Sequence, residues 1–371
     1  DFENVLSIET FLQTVRDSPR GILFEAYPGI ADLCVRDNDG GLVNELVIPF
    51  VIGKRTAKDE SARQVDSHAA IVEQGAQGVG LAFIPGSDWL FAKLYTGREL
   101  VDELVTDYVQ PLVTNAISSG FAKHWHFVRY EDPNWHLRIR FHGDPKLLTS
   151  AVSPMLHDIA ALAMSRGLIW HYQLDTYVRE TARYGGPKAI AIAEQVFWAD
   201  SEAAVCALSS IRASRDEDLR LLVALYSIDR LMTDFGLNMM QKLSYTRARR
   251  SELDGWLRVD IRAKRRLGDN YRRLRDSIAA SIAEDQSRHS PVSDCLGAFA
   301  RRSAQLAESV ARLKCGEANG QLTATVNALL PDFVHMSLNR LWPYPSLGDE
   351  LAVHDLLFRH YEYASKRRKR E

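Results

Sequence analysis

The residues best placed to do chemistry lie in two short runs, 124–130 and 135–141. If 135–141 is a strand, its period of two sends Trp135, Leu137, Ile139 and Phe141 to one face and His136, Arg138 and Arg140 to the other. Two guanidiniums on one face repel unless carboxylates neutralise them, water bathes them, or the site awaits an anion that their planar forks can grip. In the preceding run His124, His126, Val128 and Tyr130 share a face. His124-x-His126 could hold a metal only with a third or fourth ligand, and none is assignable, so a hydrogen-bonded polar face is the plainer reading. Gly75-Ala76-Gln77-Gly78-Val79-Gly80 is not a phosphate loop, because no strand feeds it and no lysine-serine pair closes it. Between Arg247 and Arg275 eleven basic residues stand against four acids, with only Trp256 and Tyr271 interleaved. That pattern reads as a solvated helical face more than as an RNA platform.

Those side chains need a rigid frame. The runs 121–130 and 135–141 alternate and are joined by Glu131-Asp132-Pro133-Asn134, which predicts a β-hairpin. A strand is expected at 89–95 and a helix at 98–113, where Leu100, Val101, Leu104, Val105, Tyr108 and Val109 recur at helical spacing. A second helix is expected at 146–166 and a strand at 168–178. Arg183-Tyr184-Gly185-Gly186 stops that strand, its glycines permitting a bend, and Pro187 suits the first turn of a helix. Helices are then expected over 188–198, 202–212, 216–243, 253–283, 293–314 and 349–363. Upstream, short strands are expected at 22–24, 31–35 and 42–50 around a turn at 37–41. The fold class is α+β, a mainly antiparallel sheet with a largely helical C-terminal half. The expected organisation is a β-rich segment over 1–52, a flexible linker or loop over 53–84, the main domain over 85–365, and a basic, solvated tail over 366–371.

Composition limits what such a site could serve. The 371 residues are 46% hydrophobic and 25% charged, enough for a substantial core, and no run approaches the ~18 to 20 apolar residues of a membrane span. A membrane protein and a disordered chain are excluded on that reading. With 46 basic against 48 acidic residues the net charge is −2, so a local site, and no overall field, must choose the partner. Cys34, Cys206, Cys295 and Cys315 lie far apart without a CxxC pair, which points to reduced thiols and a cytoplasmic location. The chain opens at Asp1 with no signal-peptide pattern, so a trimmed portion of something longer is expected.

Three strings occur in order: Trp135-His136-Leu137-Arg138-Ile139-Arg140-Phe141, Tyr177-Val178-Arg179-Glu180-Thr181-Ala182-Arg183-Tyr184-Gly185-Gly186, and His335-Met336-Ser337-Leu338-Asn339-Arg340-Leu341. Together they resemble the C-terminal elimination domain of the class I lantibiotic dehydratases, a family that also serves thiopeptide biosynthesis. The resemblance covers about residues 85–362 and is supported by Ser87-Asp88-Trp89, Lys93-Leu94-Tyr95 and Phe127-Val128-Arg129-Tyr130. Residues 1–52 look like the tail of the family's larger glutamylation domain.

The resemblance implies β-elimination of glutamate from esterified serine or threonine of a precursor peptide. Glutamate leaving as a carboxylate needs cationic donors, and the α-proton needs a base that works near neutral pH. The motifs assign these tasks to Arg138, Arg140, Glu180, Arg183 and His335, and mark Tyr130, His136, Tyr184 and Asn339 as substrate-binding. No metal, nicotinamide or phosphate cofactor is implied. The implied partners are the glutamylated precursor peptide and a separate glutamylation subunit or domain, with no direct tRNA requirement, no membrane, and a homodimer left open. Two alternatives stand beside this: a pyridine-forming cyclase on the same domain, and a non-catalytic subunit that binds the precursor peptide by strand addition at 22–50. Taken singly, Arg183 with Glu180 is a plain ion pair and His335 a packed core histidine.

Overall fold

A strand that alternates apolar and polar residues must bury one face, and β6 (Trp135–His142) does so with Leu137, Ile139 and Phe141, all at 0% exposure. The computed structural model describes residues 35–37, 40–42, 80–283, 290–343 and 346–368. The chain divides into two units, Asp1–Val65 and Asp66–Glu371. In the first, β1 (Val35–Asp37) pairs antiparallel with β2 (Gly40–Leu42). The rest of the strands expected at 22–50, most of the linker at 53–84, and residues 369–371 of the tail lie outside the described residues.

In the second unit β6 belongs to a four-stranded antiparallel sheet of order β5 (His124–Glu131), β6, β4 (Trp89–Thr96), β7 (Ile169–Asp175). Its register fixes three rows across one face: His126, Arg140, Phe91 and Asp175; Val128, Arg138, Lys93 and Gln173; Tyr130, His136, Tyr95 and His171. The opposite face carries Trp125, Phe127, Ala92 and Leu94 beside the three buried β6 residues, all fully buried. Each large apolar side chain removed from water in this way contributes roughly 1.5–3 kcal/mol. Two helical stretches join this core, α1 (98–118) and α2 (Pro145–Ser165). A short ribbon of β3 (Ala82–Phe83) and β8 (Tyr177–Val178) stands apart from the sheet, because the run expected as one strand at 168–178 breaks at Thr176.

α2 is long and apolar enough to cross a membrane, with a mean hydropathy of 1.4, which exceeds the sequence expectation. Its Leu148, Val152, Leu156, Ala160 and Ala163 form one helical stripe, and all are buried in the core.

The C-terminal half is α3 (Ile190–Ala213), α4 (Leu219–Asp234), α5 (Met239–Leu257), α6 (Ile261–Ile282), α7 (Ser293–Ala318), α8 (Val326–Leu341) and α9 (Leu347–Arg368). Three boundaries differ from expectation. The helices expected at 188–198 and 202–212 are one continuous α3. The single run 216–243 is cut at Gly236, with φ +92°, and restarts at an Asn238 capping box with Gln241. The run 253–283 is cut where Arg258 turns left-handed and Asp260 caps Ala263. α8 is a further helix, not among those expected, and it holds Pro331 in its interior. The basic tail begins inside a helix, since α9 runs on through Lys366 to Arg368.

β5 is an edge strand, and an edge exposes unpaired backbone groups. Here helices seal it with side chains: Ser201 accepts from Phe127 N–H at 3.3 Å, Arg340 Nε donates to the Phe127 carbonyl at 3.0 Å, and the Asn339 amide makes two 2.9 Å bonds to the Arg129 backbone. Arg340 is in turn neutralised by buried Asp200 at 2.9 Å, which also holds Arg302 at 2.9 Å.

Candidate active site

Arg138 and Arg140 stand side by side on the outer face of β6, as the strand period requires. The Arg140 guanidinium lies between two rings, 4.6 Å from the Phe91 centroid and 4.5 Å from that of Tyr177. Its Nη1 is 3.3 Å from His126 Nε2, and its Nε is buried without a partner. Burial pulls Arg140 below its ordinary pKa. Burial, then the charges of Arg140 and Arg340, hold His126 well below the usual imidazole value, so its ring is neutral and accepts from Arg140. Arg138 lies 3.4 Å from the Tyr130 centroid, and its Nε donates to His136 Nε2 at 2.9 Å. His136 is anchored through Nδ1, 2.7 Å from the Asn134 carbonyl, which leaves Nε2 to accept. The nearby carboxylates are engaged elsewhere: Asp175 with Lys93 at 2.5 Å, Glu194 with Arg179 at 2.6 Å, and Glu180 with Arg183 at 3.1 Å. Among the described residues Arg138 and Arg140 therefore have no ion-pair partner.

A second wall follows β8. Arg183 and Tyr184 N–H donate to the Glu180 carbonyl, and Gly186 N–H to that of Thr181, closing a tight turn. Gly185 and Gly186 sit at φ +86° and +93°, and a Cβ on Gly186 would stand 2.8 Å from Thr323 Cγ2, so both conformation and space demand glycine there. The turn places Arg183 where Nη1 reaches Glu180 at 3.1 Å and Nε reaches Asp332 of α8 at 2.8 Å. Beneath Arg140, the Tyr177 hydroxyl donates to Glu194 at 2.9 Å, and Arg179 grips the same carboxylate with two 2.6 Å bonds.

The third wall is one face of α8, since Asp332, His335, Met336 and Asn339 recur at helical spacing. The His335 ring is 38% exposed, and its Nδ1 is 3.0 Å from Oε2 of Glu350 on α9. Oε1 of Glu350 meets Arg249 at 2.8 Å. Burial opposes charge on Glu350, but the hydrogen bonds of His335 and Arg249, with the His354 ring nearby, outweigh it and hold the carboxyl well below the carboxylate range.

These walls enclose a cavity of about 110 Å³. Tyr130, Arg138, Arg140, Glu180, Arg183, Tyr184, His335 and Asn339 all line it. His136, expected among the substrate-binding residues, does not; it is buried and orients Arg138. Asn339 lines the cavity, yet its amide is spent on the Arg129 backbone. Sequence reasoning missed His126, Tyr177, Phe197 and Met336 as lining residues. The β5 alternation carried a signal for His126, and Phe197 on α3, preceded by Ala193-Glu194, is among the marks of the family resemblance, without a role in the cavity assigned to it. His124 and His126 do not act as a pair, for His124 stacks on His142 at 4.4 Å while His126 meets Arg140. Among the described residues no group of three or more His, Cys, Asp or Glu side chains converges as a metal site.

An α+β domain with a cationic cavity on the outer face of an antiparallel sheet, closed by a C-terminal helix, is the class these features define. Residues 89–361 match the family described as lantibiotic biosynthesis dehydratase, C-terminal part, and the chain belongs to that family. It is 25% identical over 272 residues to the subtilin biosynthesis protein SpaB of Bacillus subtilis, covering 72% of this chain and 25% of that one. The chain thus spans about a quarter of the length of that relative. Its fold is similar to the tRNA-dependent lantibiotic dehydratase MibB from Microbispora sp. 107891, with TM-score 0.60 and 23% identity over 78% of this chain and 29% of that one. It is also similar to TbtD, the pyridine synthase from thiomuracin biosynthesis, with TM-score 0.55 and 17% identity over 75% of this chain and 100% of that one.

Proposed function

We propose that this domain removes glutamate by β-elimination from glutamylated serine or threonine in a ribosomally made precursor peptide, leaving dehydroalanine or dehydrobutyrine, and so serves peptide dehydration in lantibiotic or thiopeptide biosynthesis. The observation that carries the reading is the pair Arg138 and Arg140, two guanidiniums without a carboxylate of their own, lining the same cavity as the His335 imidazole. His335 takes the proton from the α-carbon, the C–H electron pair becomes the Cα=Cβ double bond, and the Cβ–O bond breaks with glutamate leaving as a carboxylate. Arg138, Arg140 and Arg183 donate to the glutamyl oxygens on which charge grows. Glu180 and Asp332 fix the fork of Arg183 from two sides. Tyr130 and Tyr184 supply ring faces that flank the acyl chain. Glutamylation falls to another subunit or domain, and elimination itself calls for no tRNA. The free thiols of Cys206, Cys295 and Cys315 support a reducing, cytoplasmic setting.

The test is to incubate the protein with a glutamylated precursor peptide and follow mass. Loss of glutamate with gain of a dehydro residue is the expected result, and His335→Ala should accumulate the glutamylated peptide. Ring formation with loss of water and leader release would reassign the domain to pyridine synthesis. Binding without any mass change would make it a peptide-binding subunit.

A further inference from the structure

His335 is held by a group fifteen residues away on another helix. Glu350 is 4% exposed, and its two oxygens face two donors, His335 Nδ1 at 3.0 Å and Arg249 Nη2 at 2.8 Å, with the His354 ring beyond hydrogen-bonding distance at 3.8 Å. Arg249 is itself tied to Glu252 at 2.6 Å, so the carboxylate sits in a braced cation socket. An ionised carboxylate only accepts hydrogen bonds. A neutral His335 with its hydrogen on Nε2 would set the Nδ1 lone pair against a buried carboxylate oxygen at hydrogen-bonding distance, a repulsive contact. The other tautomer turns the same contact into a charge-assisted hydrogen bond. Among the described residues Nε2 of His335 meets no protein partner, and the ring lines the cavity of Arg138, Arg140 and Arg183.

We propose that Glu350 is a positioning residue that fixes the tautomer of His335, placing the hydrogen on Nδ1 and the basic lone pair of Nε2 toward the substrate. It rests on the elimination reading for its catalytic consequence, while the tautomer itself is independent of what the cavity transforms. When Nε2 takes the α-proton, Glu350 remains a carboxylate and faces the imidazolium so formed; it carries no proton in the cycle. This is the division of labour by which a buried acid serves a histidine base in hydrolytic triads, where removing the acid's charge costs about 10⁴-fold in turnover by favouring the wrong tautomer.

The experiment uses Glu350→Gln in the full chain with ¹⁵N-labelled histidine, His335 being assigned from the His335→Gln spectrum. In the parent protein the ring nitrogens of His335 should report hydrogen on Nδ1 with no substrate present, and in Glu350→Gln a mixture of tautomers. With glutamylated peptide, Glu350→Gln should lower kcat by roughly 10²- to 10³-fold with KM nearly unchanged. Should Glu350→Gln fail to fold, Glu350→Asp takes its place, since it keeps the charge but withdraws the carboxylate by one methylene and should show the same two effects in weaker form. Hydrogen on Nε2 in the parent protein, or a variant that keeps the parental tautomer and kcat, overturns the proposal. If His335→Ala also turns over at the parental rate, the assignment of His335 as the base fails while the tautomer result stands; if the parent protein releases no glutamate, the elimination reading fails separately.

Discussion

Arg140→Met is expected to leave the stability of the domain nearly unchanged while stopping the proposed chemistry. The Nε of Arg140 is buried without a partner, and no carboxylate neutralises the group. A buried unsatisfied donor costs about 1–3 kcal/mol, and the low end applies here because the rest of the guanidinium lines the cavity. Neighbouring Arg138 is pushed down by burial and then by Arg140, so removing one charge relieves the other. Against this, two cation–π contacts with Phe91 and Tyr177 are lost, each about 0.5–1 kcal/mol. A methionine sulfur against the same two rings returns a similar amount. The buried His126 Nε2, left without its donor, costs about 1 kcal/mol more, which brings the balance close to zero, read as a melting temperature within roughly 2–4 °C of the parent. Urea and thermal unfolding of the variant measure it, and the peptide mass assay should show elimination down by about 10²-fold or more. A loss of stability beyond about 1 kcal/mol would refute the reasoning, because it would make Arg140 an anchor of the sheet instead of an anion site.

Other perturbations separate holding from binding. Asn339→Ala strips the buried Arg129 N–H and carbonyl of their partners and should lower stability by about 2–4 kcal/mol in urea titration. Gly186→Ala forces a side chain into φ +93° and against Thr323, so a loss of about 1–3 kcal/mol with displaced Arg183 and weakened peptide binding is expected by calorimetry. Burial, then His142, lowers the His124 pKa to about 4, against about 6.5 when unfolded. Between those values the unfolded chain binds a proton that the folded one refuses. The stability His124 lends is complete above the upper value and drains as pH falls through the window, by up to about 1.4 kcal/mol per pH unit. His124→Phe should flatten that part of the stability–pH curve in urea titrations.

The sheet was legible because alternation is a local signal: Leu137, Ile139 and Phe141 could only be one buried face, which forced Arg138 and Arg140 onto the other. The helix of His335 was not, because Pro331 interrupts the local pattern while packing of Leu329, Leu330, Phe333 and Val334 into the core holds α8 regardless. Residue type told that His136 and Asn339 are polar and near the motifs. It could not tell that one turns to Arg138 and the other to a strand edge, because partners are set by tertiary distance. Glu350 carried no signal, since its link to His335 joins two helices that only the folded core brings together. Gly236 and Arg258 show the limit for boundaries: apolar periodicity continues through both cuts, and the breaks are written in backbone conformation.

The clasp between Asn339 and Arg129 joins positions 210 residues apart. During translation, a chain emerging from the ribosome as far as α7 already carries the three arginines of the cavity but neither His335 nor Glu350. Such a nascent polypeptide lacks both His335, the proposed base, and the seal on β5. On the proposed reading the site is complete only once α8 and α9 have left the exit tunnel and docked. A premature stop before His335 removes most of the third wall of the cavity along with the proposed base.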